Sequence, residues 1–307
     1  MKAMAPAVRL TKSVRRHWSL YLMLLVPLVY VFIFSYIPLG GIVMAFKKVN
    51  LAAGLYGGNW IGFKNFTDFF NTWSFSRLIK NTVWISFCYL VIGFPFPIML
   101  AICLNEVRSR AFKKTVQMVT YAPYFISTVV MVGILNQLLS PYGGMVNKFL
   151  GIFGMDPINF MGKAQYFVPV YVISGLWQGM GYSAIVFIAA LTSVDPELYE
   201  AAKIDGASKL QKIIYIDVPT ILPTAVICFI MNMGSVMSVG FEKIYLMQND
   251  MNKTASEVIS TYVYEQGLLR SQFGFATAVD LFNSVINLIL VTFFNWCGRR
   301  VGQVSIW

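Results

Sequence analysis

The chain has 307 residues, 57% of them apolar and only 12% charged, about half the charged share of an ordinary soluble domain. Most of its length must therefore lie in lipid, and the net charge of +11, with no basic soluble module to carry it, reports topology and contact with anionic headgroups, not nucleic-acid binding. One histidine and four widely separated cysteines exclude a zinc or haem site and a disulfide framework; Cys88, Cys103, Cys228 and Cys297 read as small buried apolar residues.

Residues 1–17 form a basic tail with Lys2, Arg9, Lys12, Arg15 and Arg16. It opens like a signal peptide, but the apolar run behind it is too long for one and lacks a small-x-small cleavage site, so 18–46 reads as an uncleaved first transmembrane helix. A bilayer core about 30 Å thick needs roughly 20 apolar residues per helical span. Six runs qualify, 20–46, 81–105, 115–139, 164–194, 218–241 and 271–297, and only the last holds a charge, Asp280. A β-barrel would instead show alternating segments of about ten residues. The fold class is all-α, a polytopic membrane protein with six transmembrane helices.

The external loop 47–80 carries Gly57-Gly58 and then Trp60, Phe63, Phe66, Phe69 and Phe70, a stretch that reads as lying along the outer interface. Residues 81–298 form a five-helix core to which the first helix is peripheral. Gly93, Pro95 and Pro97 kink its first helix. A second outer connection, 242–270, is polar with short helical ends, and with 47–80 it is the docking surface for anything arriving from outside. Residues 299–307 form the C-terminus. Lys and Arg are densest in the tail, at Arg108, Arg110, Lys113 and Lys114, at Lys203, Lys209 and Lys212, and at Arg299 and Arg300, which puts both termini in the cytoplasm.

The loop between the fourth and fifth spans, 195–217, is the informative stretch. Asp195 is placed to cap a helix, Pro196 suits its first position and Glu197 meets the positive end of the dipole. Ala201 and Ala202 give a narrow face beside Glu200 and Lys203, and Asp205-Gly206 then turns the chain. A short helix held between two spans, with a small-residue face, has the shape of a plug for another protein's groove.

Glu200-Ala201-Ala202 with Asp205-Gly206-Ala207, followed by Ile216, Pro219 and Pro223, resembles the cytoplasmic loop of the permease subunits of binding-protein-dependent ATP-binding-cassette importers, with the usual aromatic replaced at Ile213. Trp60-Ile61-Gly62-Phe63-Lys64-Asn65-Phe66 looks like the external element of sugar permeases in that superfamily. Gly240-Phe241-Glu242, Thr261-Tyr262-Val263-Tyr264 and Ser305-Ile306-Trp307 resemble the branch that imports complex oligosaccharides and polysaccharide fragments. Asp280 departs from that pattern, which puts a small residue there. The resemblance implies a type I importer permease fold in a bacterial inner membrane. It also implies a second, homologous but different permease subunit, two ATPase subunits carrying ATP and Mg, and an external or periplasmic binding protein that delivers the sugar. The chain lacks the Gly-x-x-x-x-Gly-Lys-Ser/Thr phosphate loop, so hydrolysis falls to a partner, and the resemblance implies a transport subunit with no cofactor of its own.

Polar residues in the spans are candidates for the substrate pathway. Asp280, Asn283 and Asn287 share one face of the sixth helix; an intramembrane carboxylate either lines a cavity or, near the outer interface, hydrogen-bonds a neighbouring helix. Gln137 on the third helix, Trp177, Gln178 and Tyr182 on the fourth, and Asn232, Ser235 and Ser238 on the fifth offer the aromatic faces and amides that hold sugars. The alternative for each is helix-to-helix hydrogen bonding or an interfacial aromatic belt. An ion-coupled transporter would need buried ionisable relays, of which only Asp280 is a candidate; a scaffold for an external receptor and a membrane enzyme are the other rivals.

Overall fold

The computed structural model describes residues 16–54, 57–302 and 305–306. Most of the basic tail, and Trp307 of the terminal motif, lie outside the described residues. Among the described residues, five helices are long and apolar enough to cross a bilayer: α1 (Trp18–Phe46), α3 (Phe75–Glu106), α7 (Ala164–Leu191), α9 (Lys209–Met233) and α13 (Phe273–Gly302). A bent pair, α4 (Arg110–Tyr121) and α5 (Thr128–Leu138), gives the sixth passage when counted as one broken span.

That break corrects the continuous third helix read over 115–139. The two pieces meet at 101°. Pro123 lacks the amide needed to continue the first piece, a tight turn spans Ala122–Phe125, and Ser127 caps the second through a 3.4 Å hydrogen bond from the Val130 amide. The first piece starts earlier than the apolar run, at Arg110. Its Arg110, Lys113 and Lys114 suit a helix lying at a headgroup surface. By contrast α3, interrupted at Phe94 between Gly93 and Pro95, remains one span.

From Trp18 to Leu39 no residue of α1 is buried. No other part of this chain covers its apolar surface, and only its far end, at fully buried Ala45, joins the rest of the molecule. The chain then forms a two-stranded antiparallel ribbon, β1 (Lys47–Val49) with β2 (Gly58–Trp60), an addition to the all-α reading. Gly62, at φ +59°, turns the chain into α2 (Lys64–Phe70), where buried Asn65 donates to the carbonyls of Ala45 and Lys47 at 2.8 and 3.2 Å. The Trp-x-Gly-x-x-Asn-Phe element is thus a tie between loop and first span. Trp60 and Phe63 are exposed, as an interfacial stretch requires, but Phe69 is fully buried against Phe75 and Phe282 and anchors the loop in the core.

α7 is the central post. Near its start, Phe167, Tyr171 and Val172 pack with Ile85, Ile244 and Val258; near its end, Ala184, Phe187 and Leu191 pack with Ala101, Ile221 and Ala225. Small residues there bring helices close, which is how packing holds spans together where lipid offers no hydrophobic contrast. The connection 242–270 is more built than a polar loop. It folds into α10 (Phe241–Met247), α11 (Lys253–Ser256) and α12 (Ile259–Tyr264) around buried Val258 and Ile259. Arg77 pairs with Glu257, and Lys253 and Arg270 reach Glu265 at 3.0 and 2.6 Å. Burial raises the Glu265 pKa, but hydrogen bonds and charge from those two cations outweigh it and hold the carboxyl below its usual range.

Candidate functional site: an exposed loop helix and a groove between the spans

The loop helix α8 (Pro196–Ile204) starts as the sequence requires, with Asp195 accepting from the Glu197 amide at 3.0 Å and Pro196 in the first turn. It ends in a Schellman motif. The Ala207 amide bonds the Ala202 carbonyl at 2.9 Å, the Gly206 amide bonds Lys203 at 3.2 Å, and Gly206 sits at φ +73°. A Cβ at Gly206 would meet nothing within 4 Å, so glycine is present for its backbone conformation and not for space within this chain. No residue of α8 is buried: Glu200, Ala201, Asp205 and Gly206 are exposed, Ala202 and Ala207 half-buried, and Ile204 is 86% exposed.

Although bare on one side, this helix is fastened on the other. Tyr199 donates to Asp217 at 2.5 Å, Asn105 reaches the Tyr199 hydroxyl at 3.2 Å and the same Asp217 oxygen at 3.4 Å, and Lys212 pairs with Glu106 at 3.3 Å. Asp217 is fully buried. Burial, reinforced by the bond to that carboxylate, pushes the Tyr199 hydroxyl up to about 12, so it stays a donor. The latch joins α8 to the end of α3 and the start of α9. Sequence reasoning passed over Tyr199, Asn105 and Asp217; the usable signal was a lone carboxylate immediately before an apolar run.

Two adjoining cavities, of about 290 and 320 Å³, form a groove between α3, α7 and α9 and share Tyr89, Leu90 and Asn232. The first adds Ser86, Tyr171, Ser235 and Ser238, the second Tyr182. Of the predicted pathway residues the structure therefore brings Asn232, Ser235, Ser238 and Tyr182 to one face, where Tyr182 stacks flat on Tyr124 at 3.8 Å. Tyr89, Tyr171 and Ser86 join them unpredicted.

The other candidates lie elsewhere. Gln178 donates to the Ile126 carbonyl at 2.8 Å, satisfying backbone freed at the α4–α5 break. Asn287 accepts from the Met237 amide at 2.9 Å and donates to Ser238 at 3.0 Å, with Asn283 at 3.5 Å from the same hydroxyl; both amides serve the irregular chain after α9. Trp177 lines a separate apolar groove with Met131 and Tyr166, and Gln137 is exposed. Asp280 is exposed while Asn283 and Asn287 are buried, so the shared face does not make one site.

A fold built mainly of long apolar spans, with an exposed loop helix latched to two of them, is that of an integral membrane protein. The profile of the binding-protein-dependent transport system inner membrane component matches residues 93–303, and the chain belongs to that family. It is 40% identical over 288 residues to the polygalacturonan/rhamnogalacturonan transport system permease protein YteP of Bacillus subtilis, covering 94% of this chain and 90% of the relative. To protein LplB of the same organism it is 35% identical, covering 96% and 92%. A solved bacterial ABC transporter involved in import of the acidic polysaccharide alginate contains a chain that superposes with a TM-score of 0.89 at 40% identity, covering 96% of this chain and 99% of that one. A bacterial alginate ABC transporter solved in complex with an alginate pentasaccharide-bound periplasmic protein contains a chain that matches with a TM-score of 0.89 at 39% identity, covering 97% of this chain and 100% of that one.

Proposed function

We propose that this chain is the permease subunit of an importer that takes up an oligosaccharide or polysaccharide fragment by alternating access, powered by ATP and Mg bound on separate ATPase subunits. The observation that carries the reading is the loop helix Pro196–Ile204, exposed on its small-residue face and latched through Tyr199 and Asp217 to two spans. Closure of an ATPase dimer pushes on that helix, the latch passes the displacement to α3 and α9, and the groove they line with α7 changes its open side. Glu200 meets a basic residue in the ATPase groove, and Ala201 and Ala202 allow close approach. The sugar class is supported by the names of the relatives and by the hydroxyls, amides and tyrosine faces of the groove.

A second, related permease completes the pathway, a binding protein docks on the side opposite the loop helix, and both termini are cytoplasmic. The test is reconstitution of the chain with its co-expressed partner permease, ATPase and binding protein in liposomes. Uptake of oligogalacturonides should require ATP inside and the binding protein outside. Accumulation without nucleotide consumption, or cross-links showing residues 195–217 remote from the ATPase, would sink the proposal.

A further inference from the structure

Three serines line the cavity of about 290 Å³, and they do not offer a ligand the same thing. Ser86 donates its hydroxyl proton to the Val236 carbonyl, and Ser235 donates to the Asn232 carbonyl at 3.3 Å. With those protons committed to backbone, both serines keep only oxygen lone pairs for the cavity. Ser238 is the exception. Its oxygen accepts, and its hydroxyl donates to no other described residue.

The direction of that hydroxyl is set from α13. Asn287, 7% exposed, accepts the Met237 amide on its Oδ1 at 2.9 Å. A backbone N–H can only donate, so this bond fixes which end of the side-chain amide is which, and Nδ2 donates to the Ser238 Oγ at 3.0 Å. Ser238 lines the cavity and Asn287 does not, so the donor stands behind the hydroxyl. An O–H does not point at an N–H, and the Ser238 proton is turned away from Asn287 to the cavity side. Asn283, 3.5 Å from the same oxygen, lies beyond the reach of an O–H···O bond, about 2.5–3.0 Å, and cannot take that proton. Ser238 is exposed in this chain, so a ligand in the cavity reaches it.

We propose that Asn287 is a positioning residue that acts through Ser238: it holds one hydrogen-bond donor aimed into a cavity whose other serines accept. A passing sugar unit is then registered by one acceptor oxygen opposite Ser238, while its own hydroxyl protons go to Ser86 and Ser235. This rests on the reading of the groove as part of the sugar path. The donor is aimed before the ligand arrives, so no ordering cost falls on the encounter. A sugar unit that lacks the oxygen leaves the Ser238 proton unpaired and crosses less readily. Selection here is by the position of an oxygen and not by charge.

The test uses the reconstituted complex at saturating binding protein, with trigalacturonate and its set of monodeoxy analogues as probes. In the wild type one analogue should be taken up roughly tenfold more slowly than the parent, the size of one hydrogen bond. Ser238→Ala should abolish that penalty and leave the other analogues' ratios as they were. Asn287→Asp still accepts from the Met237 amide, but its carboxylate takes the Ser238 proton, and the same penalty should vanish. Asn287→Ala only frees the hydroxyl to rotate and should reduce the penalty to about threefold. A purely structural Asn287 lowers all rates together and leaves the penalty in place in both Asn287 variants. That result, a wild type indifferent to every deoxy substitution, or penalties that all survive Ser238→Ala, overturns the proposal while leaving the oligosaccharide reading intact. Uptake of neither trigalacturonate nor neutral oligosaccharides by an assembled wild-type complex defeats the oligosaccharide reading and this inference with it.

Discussion

The loop helix and the groove are built on opposite plans. The loop helix is a local object: cap, small face, Schellman turn and exposed side chains all lie between Asp195 and Ala207. The groove is assembled from Ser86, Tyr89, Tyr171, Asn232 and Ser235, contributed by three spans and the irregular chain after α9. A part that must present itself to another protein can be encoded in a dozen consecutive residues, whereas a part enclosed by the chain depends on how distant helices pack. The latch joins the two plans, because Tyr199 belongs to the loop helix and Asn105 to a span that lines the groove.

Breaking the latch should give the largest effect. Asp217→Ala removes the acceptor of the Tyr199 hydroxyl at a fully buried site, a loss of about 2 kcal/mol for a hydrogen bond to a charged group. Uptake per ATP hydrolysed by the assembled complex should fall more than tenfold. Tyr199→Phe, which leaves the carboxylate with Asn105, should fall less. Unchanged coupling in the Asp217 variant would mean that the bond to Asp217 is not what joins the loop helix to the spans.

Gly206 sharpens the comparison from the side of the loop. Its φ of +73° costs a β-branched residue about 1–2 kcal/mol, while asparagine tolerates that conformation. Since an added Cβ meets nothing in this chain, Gly206→Val should reduce coupled uptake roughly tenfold and Gly206→Asn much less. Equal losses in the two variants would assign the glycine to clearance of the ATPase surface, not to the Schellman turn.

Legibility in the sequence follows the same division. Span number, the loop helix and its turn could be read because each depends on composition or on neighbours in the chain. The break in the third passage was written at Pro123 and Ser127, yet a run of apolar residues on either side masks a 101° bend. Phe69 was read with the exposed aromatics of its loop because its burial depends on Phe282, far away in α13. The candidate pathway residues divided for one physical reason: an amide in a span serves equally well to hold a ligand or to satisfy broken backbone. Only the folded chain shows that Asn232 faces a cavity while Asn287 holds the Met237 amide.

Gln178 puts that division to the smallest and most discriminating test. Its side chain spends its amide on the Ile126 carbonyl at 2.8 Å, where the turn between α4 and α5 leaves backbone unpaired. In lipid that carbonyl has no water to turn to, so the bond serves the fold. Gln178→Leu should cost about 1 kcal/mol, seen as a fall of roughly 2 °C in the melting temperature of the detergent-solubilised complex. The rate of coupled uptake by the assembled complex should stay near its wild-type value, because Gln178 lies outside the residues lining either cavity of the groove. A fall in uptake without a change in melting temperature would move Gln178 from the scaffold of the third passage to the path itself, and the amides of the spans would then have to be read as one continuous lining.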